Sequence, residues 1–215
     1  MKMGFETKCN ENKVIGHHAT SSSQADNILK ENHFKFNNFN TNVMNYKRNE
    51  KTKMPNDLGN GAYFFIEDDS FGISSKKVAK EYYKKVKQKT QKYDGKIIKA
   101  IIDVSDKYNE IDFDERRNIG VFNKYKEKNM EKIKKIFREF IEINPTYNRA
   151  KSKMLLDGLA IEMLIFEIEK NENRKVDYLH YSTSIEIDSV ISRICNAKEM
   201  CIRNQNMICS IESGD

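Results

Sequence analysis

No apolar run among the 215 residues approaches the roughly 20 that cross a bilayer as a helix, and the opening stretch "MKMGFETKCNENK" has no apolar segment of the secretory type. The expectation is a soluble, cytoplasmic protein. Cysteines are few (Cys9, Cys195, Cys201 and Cys209), and no two have the two-residue spacing of a zinc knuckle. The histidines, His17, His18, His33 and His180, do not cluster with them in the sequence. The prediction is therefore buried free thiols and no structural metal. No Ser or Cys sits in a nucleophile-elbow context, which leaves a hydrolase triad without support. Neither an internal repeat nor a low-complexity segment is present.

What the chain does have is 12 Phe and 10 Tyr within a 38% hydrophobic, 33% charged composition, too many aromatics for a disordered segment. The length suits a single domain, 1–215, with a helical elaboration over about 110–170. Net charge is +6, and much of the basic excess lies in "KKVAKEYYKKVKQKTQK" (76–92) and "KYKEKNMEKIKKIFRE" (124–139). Such runs are ordinarily the solvated face of a helix, yet they raise the odds of an anionic partner, a phosphate-bearing cofactor or a nucleic acid.

"KVIGHHAT" (13–20) reads as a short strand. Ser21 with Gln24 is a capping-box pattern, after which Ala25, Ile28 and Leu29 recur at helical spacing. Residues 37–59, rich in Asn, Lys and Thr, read as a long loop of the kind that serves as a lid. "GAYFFIE" is then a strand, and "SSKKVAKEYYKKVKQK" a helix with Val78, Tyr82 and Val86 on one face. "KIIKAIIDV" (96–104) is a buried strand by its β-branched content. Ile119, Phe122, Met130, Ile133, Phe137 and Phe140 fit an amphipathic helix or helix pair over about 114–143. The stretch 151–170 is a helix apolar on most faces, and 198–212 reads as a hairpin or bent strand pair. The class is α+β.

The Gly-x-Gly of "NDLGNGAYFF" (56–65) precedes a strand and lacks the third glycine of a dinucleotide loop, so a Rossmann site is rejected. By itself it is a turn that needs positive φ. A strand-end pair such as His17 and His18 is, by itself, more often hydrogen-bonded packing than chemistry.

Taken in order, three segments carry more. His18-Ala19-Thr20, Gly61-Ala62-Tyr63-Phe64 and Glu199-Met200-Cys201-Ile202-Arg203-Asn204 resemble the signature segments of the ADP-ribosyltransferase superfamily, in the branch of diphthamide toxins and poly(ADP-ribose) polymerases whose NAD pocket is lined by His, Tyr and Glu. "VAKEYY" resembles the helix carrying a second stacking tyrosine, placed at Tyr82 with Tyr83 as its rival. Some thirty residues carry the likeness, Ala19 stands where the branch has Gly, and 105–195 has no counterpart. Ser182-Thr183-Ser184 resembles a segment of the arginine-modifying branch, but Ala197 fills the position where that branch needs its first acidic residue. Glu162 is the other carboxylate that could be buried and functional and is held in reserve, the blander reading being a carboxylate hydrogen-bonded at a helix packing face or partly exposed.

The resemblance implies a split mixed and antiparallel β core with flanking helices and a helical insertion, and NAD as substrate. Glu199 would bind the ribose 2′-hydroxyl beside nicotinamide and activate the acceptor. His18 would bond the adenosine ribose and the Ala19 backbone the carboxamide, with Thr20 and Gly61 lining the site and Tyr63 and Tyr82 sandwiching the ring. At least one of Lys47, Arg48, Lys51 and Lys53, in the lid, would meet the pyrophosphate. The implied activity is mono-ADP-ribosyl transfer, since no acceptor loop for chain elongation is recognisable. It would suit a microbial toxin or antiviral defence effector held by an antitoxin protein, acting on RNA or DNA somewhat in preference to protein. An NAD glycohydrolase and a catalytically idle NAD-binding module are the alternatives.

Overall fold

A computed structural model describes residues 12–35, 54–87, 94–143, 154–190 and 192–215. Seven strands form one mixed sheet: β1 (Lys13–Ser21), β2 (Ala62–Ile66), β3 (Gly95–Asp103), β4 (Glu110–Asp112), β5 (Tyr178–Thr183), β6 (Ala197–Ile202) and β7 (Ile208–Ser213). Their order is β4-β5-β6-β2-β1-β3-β7. Only β4 and β5 run parallel. Among the described residues, five α-helices flank the sheet: α1 (Ser22–Glu31), α2 (Ser75–Tyr82), α3 (Arg116–Lys128), α4 (Met130–Ile143) and α5 (Met154–Glu172). The protein is α+β.

The pairing of β1 is unequal on its two sides. Against β3 it is matched along its whole length, Lys13 to Ser21. Against β2 it is matched only at Gly16↔Ile66 and His17↔Phe65, so the two central strands part beyond His17. A sheet interrupted at its middle leaves a cleft that both of its faces can reach.

Alternation along the strands sorts the core. Phe64, Ile66, Ile98, Ala100, Ile102, Met200 and Ile202 face α1, whose Ala25 is buried with Ile28 and Leu29 beside it. Phe65, Ile97 and Ala197 face α2 through Val78 and Ala79, while Leu179 and Cys201 face α5 through Ile161 and Ile165. Buried on most faces, as its composition predicts, α5 packs outward against Ile133, Ile136 and Phe140 of α4. The stretch 114–143 is a helix pair, divided at Asn129, whose side-chain amide bonds the Tyr125 carbonyl at 2.9 Å. Ser21 caps α1 by accepting the Gln24 amide. Gln24 does not return the bond; its side chain accepts the Thr20 hydroxyl at 2.6 Å, so the capping box is half made.

Several sequence expectations are corrected. β6 and β7 are not a hairpin: both edges of β6 are filled by β2 and β5, and β7 pairs with the free edge of β3, three strands away. Asp177 fixes the exit from β6, its carbonyl taking the Arg203 amide at 2.8 Å and its carboxylate the Asn204 side chain at 2.7 Å. β4 and β5 arise in a stretch where no strand is expected. Cys201 is a buried thiol, but Cys195 and Cys209 are exposed, one in the loop before β6 and the other on edge strand β7. α2 continues as a π-helical turn at Tyr83–Lys87. Most of the expected lid, with Lys47, Arg48, Lys51 and Lys53, lies outside the described residues, as do Cys9 and the Val86 side chain.

Candidate active site

Residues 56–59 close on themselves, the Asn56 and Gly59 backbones exchanging hydrogen bonds of 3.2 and 2.8 Å. Gly59 has φ +87°, which L side chains rarely adopt. Glycine is required at 61 for a different reason, because a Cβ there would press on the Ile202 carbonyl and the Cys201 sulfur, 2.6 Å away. The chain therefore enters β2 pressed against β6, with Tyr63 opposite Cys201 and Phe65 opposite Glu199. The Tyr63 hydroxyl turns back to the glycine turn, donating to the Gly59 carbonyl at 2.8 Å and accepting the Leu58 amide at 2.9 Å. Burial above all, then Cys201 and the Glu199 carboxylate, push its pKa well above 10, so it stays a phenol.

Where β1 and β2 separate, His18 spans the gap. Its Nδ1 lies 2.7 Å from the Tyr63 carbonyl oxygen, which can only accept, so Nδ1 carries a proton and donates it to that oxygen. Phe34 and Phe64 pack edge-on and tilted against that ring, at 5.4 and 6.0 Å.

A cavity of about 460 Å³ opens at this separation. His18, Ala19, Thr20, Gly61, Tyr63, Tyr82 and Glu199 all line it. Strand alternation turns His18 and Thr20 to one face and Ala19, Tyr63 and Glu199 to the other; they share a cavity because the sheet is parted between them. Tyr82 stands edge-on to Phe65 at 5.5 Å. Its rival Tyr83 is turned into the core, with its hydroxyl on the Asp94 carboxylate at 2.8 Å.

Other candidates lie elsewhere. Glu162 is completely buried and paired with Arg203 beneath the turn, so the partly exposed alternative is excluded. Ser182 gives its amide and hydroxyl to Asp114 at 2.6 and 2.8 Å, outside the cavity lining. Ala197 is buried.

Two polar residues of the site have no place in the expected set. Tyr181 stands opposite Glu199 across β5 and β6; burial, followed by the Glu199 carboxylate, raises its pKa, so it remains a donor toward that carboxylate. The alternation in "YLHYST" holds this signal, once the segment is known to be a strand. His17 lines the cavity from the Phe65 side, with Nδ1 2.6 Å from Ser75 Oγ. Since the Ser75 hydroxyl donates to the Glu67 carboxylate, His17 Nδ1 donates to Ser75. Burial lowers the His17 pKa below 6.5, with Lys76 and Lys99 acting in the same direction and Glu67 against it. Neutral at pH 7, this ring ties β1 to the first turn of α2.

Comparison with known proteins finds no matching family model, curated protein or solved structure.

Proposed function

We propose that the cleft takes NAD as substrate and that the protein is an NAD-dependent ADP-ribosyltransferase making single transfers. The observation that carries this reading is the junction of His18 Nδ1 with the Tyr63 carbonyl, at the parting of β1 and β2, on the cavity that Glu199 also lines. Three segments that resemble one family's signatures, far apart in sequence, converge there.

On this reading Tyr63 and Tyr82 stack on the nicotinamide ring and the Ala19 backbone bonds its carboxamide. The glycosidic bond breaks with its electron pair leaving on nicotinamide, and positive charge builds on the ribose C1′. Glu199 stabilises that charge and orients the 2′-hydroxyl, with Tyr181 setting the carboxylate's direction. An acceptor lone pair then bonds C1′, and the acceptor's proton passes to Glu199 and on to solvent.

The charge on the outer helices supports a nucleic-acid acceptor over a protein: residues 116–143 hold nine Lys and Arg against four Glu. The same reading makes the protein a toxin or defence effector with an antitoxin partner. Labelled NAD incubated with the protein and a cell extract, followed by nuclease or protease, tests it. Label released by nuclease identifies nucleic acid, label released by protease identifies protein, and free ADP-ribose identifies hydrolysis. Absence of turnover, with Glu199→Gln indistinguishable from wild type, would leave only a binding module.

A further inference from the structure

We propose that His180, Asp112 and Asp114 form a divalent-cation site, suited to zinc, at the β4–β5 edge of the sheet. The parallel register of β4 and β5 sets Asp112 directly beside His180, and ligand atoms of His180, Asp112 and Asp114 lie within 4.8 Å of one another.

The histidine distinguishes this cluster from an ordinary acidic edge. His180 is 6% exposed, and its buried Nδ1 makes no hydrogen bond although Asp112 Oδ1 is 3.4 Å away. A charge-assisted N–H···O bond closes to about 2.7–2.9 Å. A separation of about 3.4 Å is instead the edge of a tetrahedral shell with metal bonds of about 2.0–2.1 Å.

The other ring nitrogen faces a carboxylate at the same separation, a contact and not a closed hydrogen bond. Nε2 lies 3.4 Å from Glu110 Oε2, and Glu110 is held by the Tyr178 hydroxyl at 2.6 Å. A small turn of the ring on binding a metal would close that contact, and a carboxylate bonded to the far nitrogen fixes the tautomer and makes the ligand nitrogen more basic. An imidazole with carboxylates suits zinc, whereas calcium and magnesium take oxygen-only sets. Lys198 Nζ, 3.7 Å from Asp114 Oδ2, is the cation an incoming metal must outcompete.

The ion would fasten a strand of three residues and its exit toward α3 to β5. His180 projects from the opposite face of β5 to Tyr181, so the site lies across the sheet from Glu199. The expectation of no metal rested on Cys and His spacing; here the partners are carboxylates more than sixty residues upstream, which only folding brings near. The inference stands independently of the NAD reading.

Calorimetric titration of the full-length chain with zinc chloride tests it, with cobalt(II) absorption as the spectroscopic check. The expected result is one zinc per chain and a cobalt spectrum without a thiolate band. Asp112→Asn or Asp114→Asn should weaken zinc at least about tenfold, and Glu110→Gln about 10- to 100-fold. The Asp114 carboxylate also accepts the Ser182 amide and hydroxyl, so a thermal melt of each variant, run before zinc is added, separates lost folding from lost binding. Zinc binding of equal strength in wild type and both aspartate variants, a thiolate band, or no zinc binding would each overturn the proposal.

Discussion

Arg203 and Glu162, from β6's exit and α5, form an ion pair beneath the glycine turn, Glu162 fully buried and Arg203 nearly so, and hold that turn between them. Arg203 Nη1 meets Glu162 Oε1, and Nη2 lies 3.3 Å from Oε2. The Asn60 amide donates to Glu162 Oε1 at 2.6 Å, and its carbonyl accepts from Arg203 Nη1 at 3.2 Å. Glu162 thus replaces part of the partnering that a turn on the surface draws from water.

Removing one partner of such a pair leaves a charge in the interior without compensation. Glu162→Gln should lower unfolding stability by about 3–5 kcal/mol in denaturant titrations. The double variant Glu162→Leu with Arg203→Met should lose less than the single. A loss under about 1 kcal/mol in the single variant would show that the turn is held in another way.

Gly158 sets two effects against each other. It lies inside α5, where alanine is favoured by about 1 kcal/mol. It also faces the Asn56 carbonyl so closely that a Cβ could not fit without moving backbone. Overpacking costs about 1–3 kcal/mol even against side chains, so Gly158→Ala should destabilise on balance. Thermal melts showing a more stable variant would mean that the turn shifts freely.

The Tyr63 ring and its hydroxyl have separable roles. Tyr63→Phe keeps the ring but leaves the Leu58 amide without its acceptor and the Gly59 carbonyl with the Asn56 amide alone, a cost of about 1–3 kcal/mol. NAD affinity, on the proposed reading, should stay within a fewfold of wild type. Tyr63→Leu should weaken NAD binding at least about tenfold by isothermal titration, since stacking goes with the ring.

His17 gives the fold a pH dependence whose sign follows from its lowered pKa. Below 6.5 the unfolded chain takes up a proton that the folded ring refuses, so stability is full above 6.5 and declines as pH falls toward the folded value. Between pH 7 and 5.5, denaturation midpoints should fall in wild type and fall less in His17→Gln. Parallel profiles would assign the decline to other groups.

Local pattern foretold the elements near the site better than it foretold their arrangement. Apolar spacing and the Ser21 cap marked α1; β-branched content marked β3; the glycines and aromatics of 59–65 marked a turn entering a strand. The C-terminal segment reads as two strands, but their partners do not follow from it, because which edge a strand joins depends on which edges are already filled. Tyr181 gives no signal until its strand is known, because that strand lies in a stretch dominated by helical periodicity.

The sequence by itself determined the α+β class, the helices between 114 and 172, and the identity of the residues offered to a site. Those properties follow from side-chain period, capping and steric freedom within a few neighbouring residues. Tertiary structure decided that β1 and β2 separate beyond His17, that His18 and Glu199 reach one cavity from opposite faces, and that Glu162 serves Arg203 and the turn. These depend on packing between segments distant in the chain, where burial without water makes each polar group find its partner in whatever the fold brings beside it.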